Sequence, residues 1–285
     1  MEEDPALPSL RVSLPAGSRL RYESRGDPGR PPVLFLHGFM GASEDWRAVM
    51  TALEDRFFSV SVDLPGHGGS VGLLPGSYAF ESAARMVLDV LDELEIDRAA
   101  FVGYSMGGRL ALYLALRYPE RYGGLLLESA SPGLESEEAR TERRIADERR
   151  AARLETGDFD EFLRDWYLQP LFASLARDKE LLRRTIEARR SNDPRELAKS
   201  LRGMGTGSQP SLWKELAGLD VPMLAVAGEL DGKFAGISHR MRESNPQVRT
   251  AIVPCAGHNV RLEACEAYTT LLKGFLSDIY NPFHD

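Results

Sequence analysis

The chain has 285 residues, 43% of them apolar, with 35 basic against 43 acidic side chains and a formal net charge of −8. That length buries a core without disulfide staples, and the acidic balance excludes the basic face that nonspecific nucleic-acid binding needs. Its two cysteines, Cys255 and Cys265, make no metal-ligand spacing, and no apolar run reaches the ~18 residues of a membrane span. The opening Met1-Glu2-Glu3-Asp4-Pro5 lacks the basic start and apolar stretch of a secretory signal, so a cytoplasmic protein is expected.

In chain order, strand patterns at 10–15 and 19–24 flank Pro15-Ala16-Gly17-Ser18 and predict a hairpin-like start. Strands near 32–37, 57–63, 99–103 and 123–129 then alternate with helices near 44–54, 78–96 and 106–118. Such alternation predicts an α/β fold, a mostly parallel sheet with helices on both faces. Residues 132–217 carry no strand pattern. They read as a charged helical insertion with aromatics at Phe159, Phe162, Trp166, Tyr167 and Phe172. The rhythm resumes with Pro222–Ala227 and Val248–Val253. The core is therefore expected at 1–131 and 218–285, with 132–217 as a cap over the carboxyl ends of the strands, where open α/β sheets bind ligands.

The chemistry centres on Gly103-Tyr104-Ser105-Met106-Gly107, after the apolar run Ala99–Val102 and before the helical Arg109–Leu116. A strand that turns at once into a helix through G-x-S-x-G presents the serine hydroxyl at the sheet edge. It also aims the Met106 N–H from a helix N-terminus, where negative charge can be held. A nucleophile or base of this kind needs a histidine and an acid to orient it. Gly228-Glu229-Leu230-Asp231 follows one strand and Pro254-Cys255-Ala256-Gly257-His258 the next. Asp231 is preferred over its neighbour Glu229. His239 falls mid-helix and His284 in a polar tail, while His37 and His67 precede Ser105 and read as structural. The order Ser105, Asp231, His258 is that of the α/β-hydrolase scaffold.

Val33–Phe39 is a strand closing in His37-Gly38-Phe39, the position of a second oxyanion donor, here the Phe39 N–H. The Gly66-His67-Gly68-Gly69 turn reads as a tight loop, since no phosphate-binding loop pattern is present. Cys255 reads as a small buried hydrophobe rather than a ligand. Arg109, one helical turn after Ser105, shares its face of the helix and points to an anionic substrate. Most of the cap arginines (Arg140, Arg143, Arg144, Arg149, Arg150) read as a solvated face laced with glutamates.

The sequence resembles the 2-succinyl-6-hydroxy-2,4-cyclohexadiene-1-carboxylate synthases, α/β-hydrolase-fold lyases of menaquinone biosynthesis, over residues 32–276. His37-Gly38-Phe39, Asp63–Ser70 and the Ser105 motif recur in many relatives. The specific signature is Asp165-Trp166-Tyr167-Leu168-Gln169-Pro170-Leu171-Phe172-Ala173-Ser174-Leu175, with Ser131–Leu134 leading into Arg140–Arg143, and with Gly228–Phe234 and Ala256–Asn259. The resemblance implies catalytic Ser105, Asp231 and His258, and carboxylate contacts from Arg109 and Arg143. It also implies lining by Tyr104, Trp166, Arg190 and Lys233. It implies no metal, no organic cofactor, and a small substrate bearing several carboxylates. Ser131 stands before Pro-Gly-Leu, where the family often has His or another polar residue. Readings of other classes are a carboxylesterase or carbon–carbon bond hydrolase of the same fold, and a ligand sensor, which the intact triad and charged cap disfavour.

Overall fold

In the computed structural model, which describes residues 20–280, seven strands form one sheet in the order β1-β3-β2-β4-β5-β6-β7. They are β1 (Tyr22–Arg25), β2 (Pro32–Leu36), β3 (Phe58–Val62), β4 (Ala99–Tyr104), β5 (Tyr122–Glu128), β6 (Met223–Gly228) and β7 (Val248–Val253). Only β1 runs antiparallel to its neighbour; the other pairings are parallel. The central parallel strands β2, β4, β5 and β6 are short, mostly apolar runs, as burial on both faces requires, while the edge strand β7 is partly exposed. The expected strand at 10–15, and with it the hairpin, lies outside the described residues.

Helices α1 (Arg47–Leu53), α2 (Phe80–Glu93) and α3 (Met106–Arg117) alternate with the strands up to β5. Between β5 and β6 the described chain has helices and no strand. These are α4 (Glu137–Thr156), α5 (Phe159–Tyr167), α6 (Lys179–Arg189), α7 (Pro194–Met204) and α8 (Trp213–Leu216). Helix α9 (Gly232–Ser244) joins β6 to β7, and α10 (Val260–Glu263) and α11 (Cys265–Tyr280) end the described chain. The predicted helix at 44–54 is a 3-10 turn, Ser43–Trp46, running into α1.

Two apolar cores lie on opposite faces of the sheet. One packs α2, α3 and α8 on Leu34, Leu36, Phe101 and Leu125, and the other packs α1 and α11 on Val33, Phe35, Val102 and Leu126. Consecutive residues of one strand thus feed different cores, as the two-residue period of a strand dictates. A third cluster joins α4, α5 and α7 through Ala151, Leu154, Phe162, Leu163, Leu197 and Leu201, with Met40 from the loop after β2. The helical segment therefore has its own apolar interior and rests on the loops that follow the strands.

Candidate active site

Ser105 sits between β4 and α3 at φ 49°, ψ −107°, a conformation that costs an L-residue free energy and turns its side chain outward. Close packing enforces the bend. A Cβ on Gly103 would fall 2.5 Å from Gly108 Cα, and one on Gly107 would overlap the Leu36 carbonyl oxygen. The Ser105 N–H donates to the Glu128 carbonyl at 2.8 Å, fixing the bend to β5.

Asp231 follows β6 and caps α9, its Oδ1 accepting from the Phe234 N–H at 3.2 Å. Its Oδ2 lies 2.7 Å from His258 Nδ1, and His258 Nε2 lies 3.2 Å from Ser105 Oγ. Three loops thus bring Ser105, His258 and Asp231 into one hydrogen-bonded line. His258 is buried among the rings of Phe234, Tyr104 and Phe172. Glu229 is occupied elsewhere, accepting from the Cys255 N–H at 3.1 Å and so holding the loop that carries His258. Cys255 itself corrects an expectation. It is exposed, at φ 60°, because the turn leaving β7 needs a left-handed residue there.

His37 and His67 are buried and fix loops. His37 donates from Nδ1 to the Gly38 carbonyl and accepts the Leu64 N–H at Nε2. Desolvation lowers its pKa, and burial beside His37 pushes His67 down to about 3. Both are therefore neutral at pH 7.

Ser105 and His258 open on a cavity of about 670 Å³ that Phe39, Met106, Arg109, Arg143, Trp166 and Lys233 also line. Met106 is the first residue of α3, so its N–H belongs to the unpaired donors of a helix start. Arg109 is buried, donating to the Met204 carbonyl at 2.9 Å and to Gln209 Oε1 at 3.3 Å. No carboxylate among the described residues pairs with it. Burial, reinforced by the charge of Arg143, lowers its pKa to about 9. A buried guanidinium with no carboxylate partner, on the cavity that Ser105 opens on, is chemically able to take up an anion.

Not every predicted lining residue reaches this cavity. Tyr104 lies behind it, against a smaller space of about 50 Å³ that also borders Ser105, His258, Asp45, Tyr167 and Arg189. Arg190 is corrected outright. It is exposed and paired with Asp160 at 2.8 Å and Glu187 at 2.5 Å, while its neighbour Arg189 points inward and holds Asp45 at 2.8 Å. One residue along a helix turns the side chain by about 100°.

Sequence reasoning set Arg150 with the solvated cap arginines and did not single out several other groups. Arg150 and Arg240 line the main cavity, Arg240 paired with Glu135 at 2.7 Å and stacked 4.0 Å over Trp213. Their signal was present: each lies seven residues after a predicted cation, Arg143 and Lys233, and hence two turns along the same helix face. Beneath the triad, Arg261 donates its N–H to Glu128 Oε1 at 3.0 Å and one guanidinium N–H to the Asp45 carbonyl at 3.0 Å. Burial works to raise the Asp45 pKa, but Arg189 and Arg261 hold it at about 2. Glu128 goes the other way: burial pushes it up to about 7 despite Arg261. Among the described residues no group of three or more His, Cys, Asp or Glu side chains gathers to hold a metal ion, and no helix is long and apolar enough to cross a membrane.

A family model of the alpha/beta hydrolase fold matches residues 31–264. The 2-succinyl-6-hydroxy-2,4-cyclohexadiene-1-carboxylate synthase of Salmonella heidelberg is 36% identical over 242 residues, 84% of this chain and 90% of that one. The solved structure of MenH from S. aureus superposes with a TM-score of 0.87 at 32% identity, covering 91% of this chain and 99% of that one. A thermophilic esterase from Thermogutta terrifontis, solved with malate bound, gives a TM-score of 0.81 at 26% identity, covering 92% and 94%. The chain belongs to the alpha/beta hydrolase fold family and, within it, to the 2-succinyl-6-hydroxy-2,4-cyclohexadiene-1-carboxylate synthases.

Proposed function

We propose that the protein is a carbon–oxygen lyase of menaquinone or phylloquinone biosynthesis, and that the serine triad serves it as a base. It eliminates pyruvate from 2-succinyl-5-enolpyruvyl-6-hydroxy-3-cyclohexene-1-carboxylate to give 2-succinyl-6-hydroxy-2,4-cyclohexadiene-1-carboxylate. It acts in the cytoplasm, with residues 132–217 as a cap over a core of 1–131 and 218–285. The observation that carries this reading is a cavity at Ser105 lined by Arg109, Arg143 and Lys233, where an ordinary ester has no use for so many cations. Three substrate carboxylates do have a use for them.

In the first step His258 Nε2 takes the Ser105 hydroxyl proton, and Asp231 stabilises the imidazolium that forms. The Ser105 oxygen then removes the ring proton α to the succinyl ketone. The N–H groups of Met106 and Phe39 receive the ketone oxygen as it becomes an enolate. Electrons move through the ring double bond and break the bond to the enolpyruvyl oxygen. His258 returns its proton to the departing group, which becomes pyruvate, and Ser105 keeps the ring proton as its hydroxyl. Arg109 and Arg143 bind substrate carboxylates, and Trp166, Tyr104 and Lys233 line or back the site.

The esterase reading has support in the same triad geometry and in the Thermogutta terrifontis likeness. The two readings differ in what they form on Ser105. A hydrolase builds an acyl-enzyme and shows a burst with activated esters. A lyase using Ser105 as a base has no such intermediate. The test is pyruvate release from the enolpyruvyl substrate beside turnover of an ordinary ester, with rapid quench and mass spectrometry. Pyruvate release without an adduct is expected. A covalent adduct on Ser105 that forms and decays at the rate of turnover overturns the lyase reading.

A further inference from the structure

Helix α4 carries Arg143, Asp147 and Arg150 at successive turns, so the three share one face. Both arginines line the main cavity, and Asp147 lies buried behind them, 3% exposed. One of its oxygens serves both: Oδ1 accepts from Arg143 Nε at 2.8 Å and from Arg150 Nη1 at 3.2 Å. The other, Oδ2, is buried without a hydrogen-bond partner, and α7 ends so close above it that a Cβ on Gly205 would come within 2.7 Å.

This is a costly arrangement for stability alone. A buried carboxylate with one idle oxygen carries a desolvation penalty that a neutral side chain would avoid. One negative charge also leaves two guanidiniums undercompensated, and the buried Arg109 feels the field of Arg143 as well. What the arrangement does achieve is direction. Each arginine gives one N–H to the same oxygen. Among the described residues no hydrogen bond occupies the two η nitrogens of Arg143, nor Nε and Nη2 of Arg150. Both side chains line the same cavity and keep donors free there, and a carboxylate can accept such donors with both oxygens.

We propose that Asp147 is a positioning residue that fixes Arg143 and Arg150 as a paired receptor for one substrate carboxylate, and that Arg150 is itself a binding residue. This deepens the reading of the cavity as a polycarboxylate site and rests on it. Arg150 sits two turns beyond Arg143, so the receptor is wider than a single arginine. It binds a carboxylate on the arm of the substrate away from the reacting carbon, and its loss weakens binding more than chemistry.

The test uses the intact protein with Asp147→Asn, Arg150→Gln, Arg150→Lys and the Asp147→Asn/Arg150→Gln double variant. Circular dichroism first checks that each is folded. Citrate is the probe for binding, read by tryptophan fluorescence, since Trp166 and Trp213 both line the cavity. The expected result is a citrate Kd raised about tenfold in Asp147→Asn and Arg150→Gln, with Arg150→Lys in between. The double variant is expected to be no worse than the weaker single, because both changes disable one unit. In pyruvate release the same variants raise KM by a similar factor and leave kcat within about threefold. An unchanged Kd, losses that add in the double variant, or a wild type that does not bind citrate overturns the receptor. A wild type that shows this citrate pattern but releases no pyruvate overturns the lyase reading and leaves the receptor standing.

Discussion

Arg109→Met separates what the fold needs from what the reaction needs. Arg109 is a buried cation whose pKa is lowered to about 9 through burial and the charge of Arg143. A base held below its unfolded value destabilises the fold at every pH under about 9, and the penalty fades as pH rises above 9 toward the unfolded value. At pH 7 that penalty is about 5 kcal/mol. Methionine fills much of the same channel without the charge. Against the gain stands the loss of the bonds to the Met204 carbonyl and Gln209 Oε1, whose buried acceptors then go unpaired at about 1–3 kcal/mol each. The two sides nearly offset, so Tm is expected to move by no more than a few °C. With Arg109 in its proposed role, the same change removes a charge-assisted contact to the substrate and is expected to lower kcat/KM by about 10²-fold or more. Differential scanning calorimetry at pH 7 and a pyruvate-release assay on one preparation measure both. A variant with lowered Tm and near-normal kcat/KM would refute the reasoning, because Arg109 would then be a structural brace.

Three further outcomes follow from the geometry. Ser105→Ala is expected to lower turnover by ~10³-fold or more with Tm intact, measured by pyruvate release, since the triad acts as a unit. Glu128, raised to about 7, keeps a proton that the unfolded chain releases near 4.5, so its contribution is fully present below about pH 4.5 and is lost as pH rises through 7, about 3 kcal/mol in all. His37 and His67 are lowered and run the opposite way, so the readout is the difference between wild type and Glu128→Gln in urea titrations from pH 5 to 8, which narrows for wild type as pH rises. Arg189→Ala strips Asp45 of the nearer of its two buried cations and should destabilise the fold by about 3 kcal/mol in the same titrations, whereas Arg190→Ala should leave both Tm and kcat/KM unchanged.

The sheet and its serine bend were legible because local rules decide them. Val248–Val253 is apolar enough to be read as a strand and is one residue for residue, and the Gly103–Gly107 spacing admits few other conformations. The order of the triad along the chain followed from the strand ends alone. What stayed hidden was set by angle and by contacts distant in sequence. Arg189 and Arg190 are chemically alike, and only the packing of α6 decides which faces Asp45 and which faces water. The network under the triad draws Asp45, Glu128, Arg189 and Arg261 from four separate stretches, and no local pattern announces that they meet. Cys255 misled for a related reason. Its apolar character says nothing of the left-handed turn that pushes it outward.

The same fold that hydrolyses esters can run an elimination because the two reactions share most of their demands. Both need a base aimed at one point and donors aimed at an oxygen that gains charge, and the Ser105 bend with the α3 start satisfies both. They differ in which substrate atom stands at that point. A nucleophile must face a carbonyl carbon; a base must face a C–H bond about one bond length away from it. Shifting a substrate by that distance does not require a new triad. It requires fixed charges that hold the rest of the molecule, and the cations proposed for that task, Arg109, Arg143, Arg150 and Lys233 on α3, α4 and α9, all line the cavity. On this argument the cations decide the reaction as much as the triad does. Their neutral variants should lose pyruvate release far more than they lose any residual cleavage of a small uncharged ester, and equal losses of both activities would place the choice of reaction at Ser105 itself.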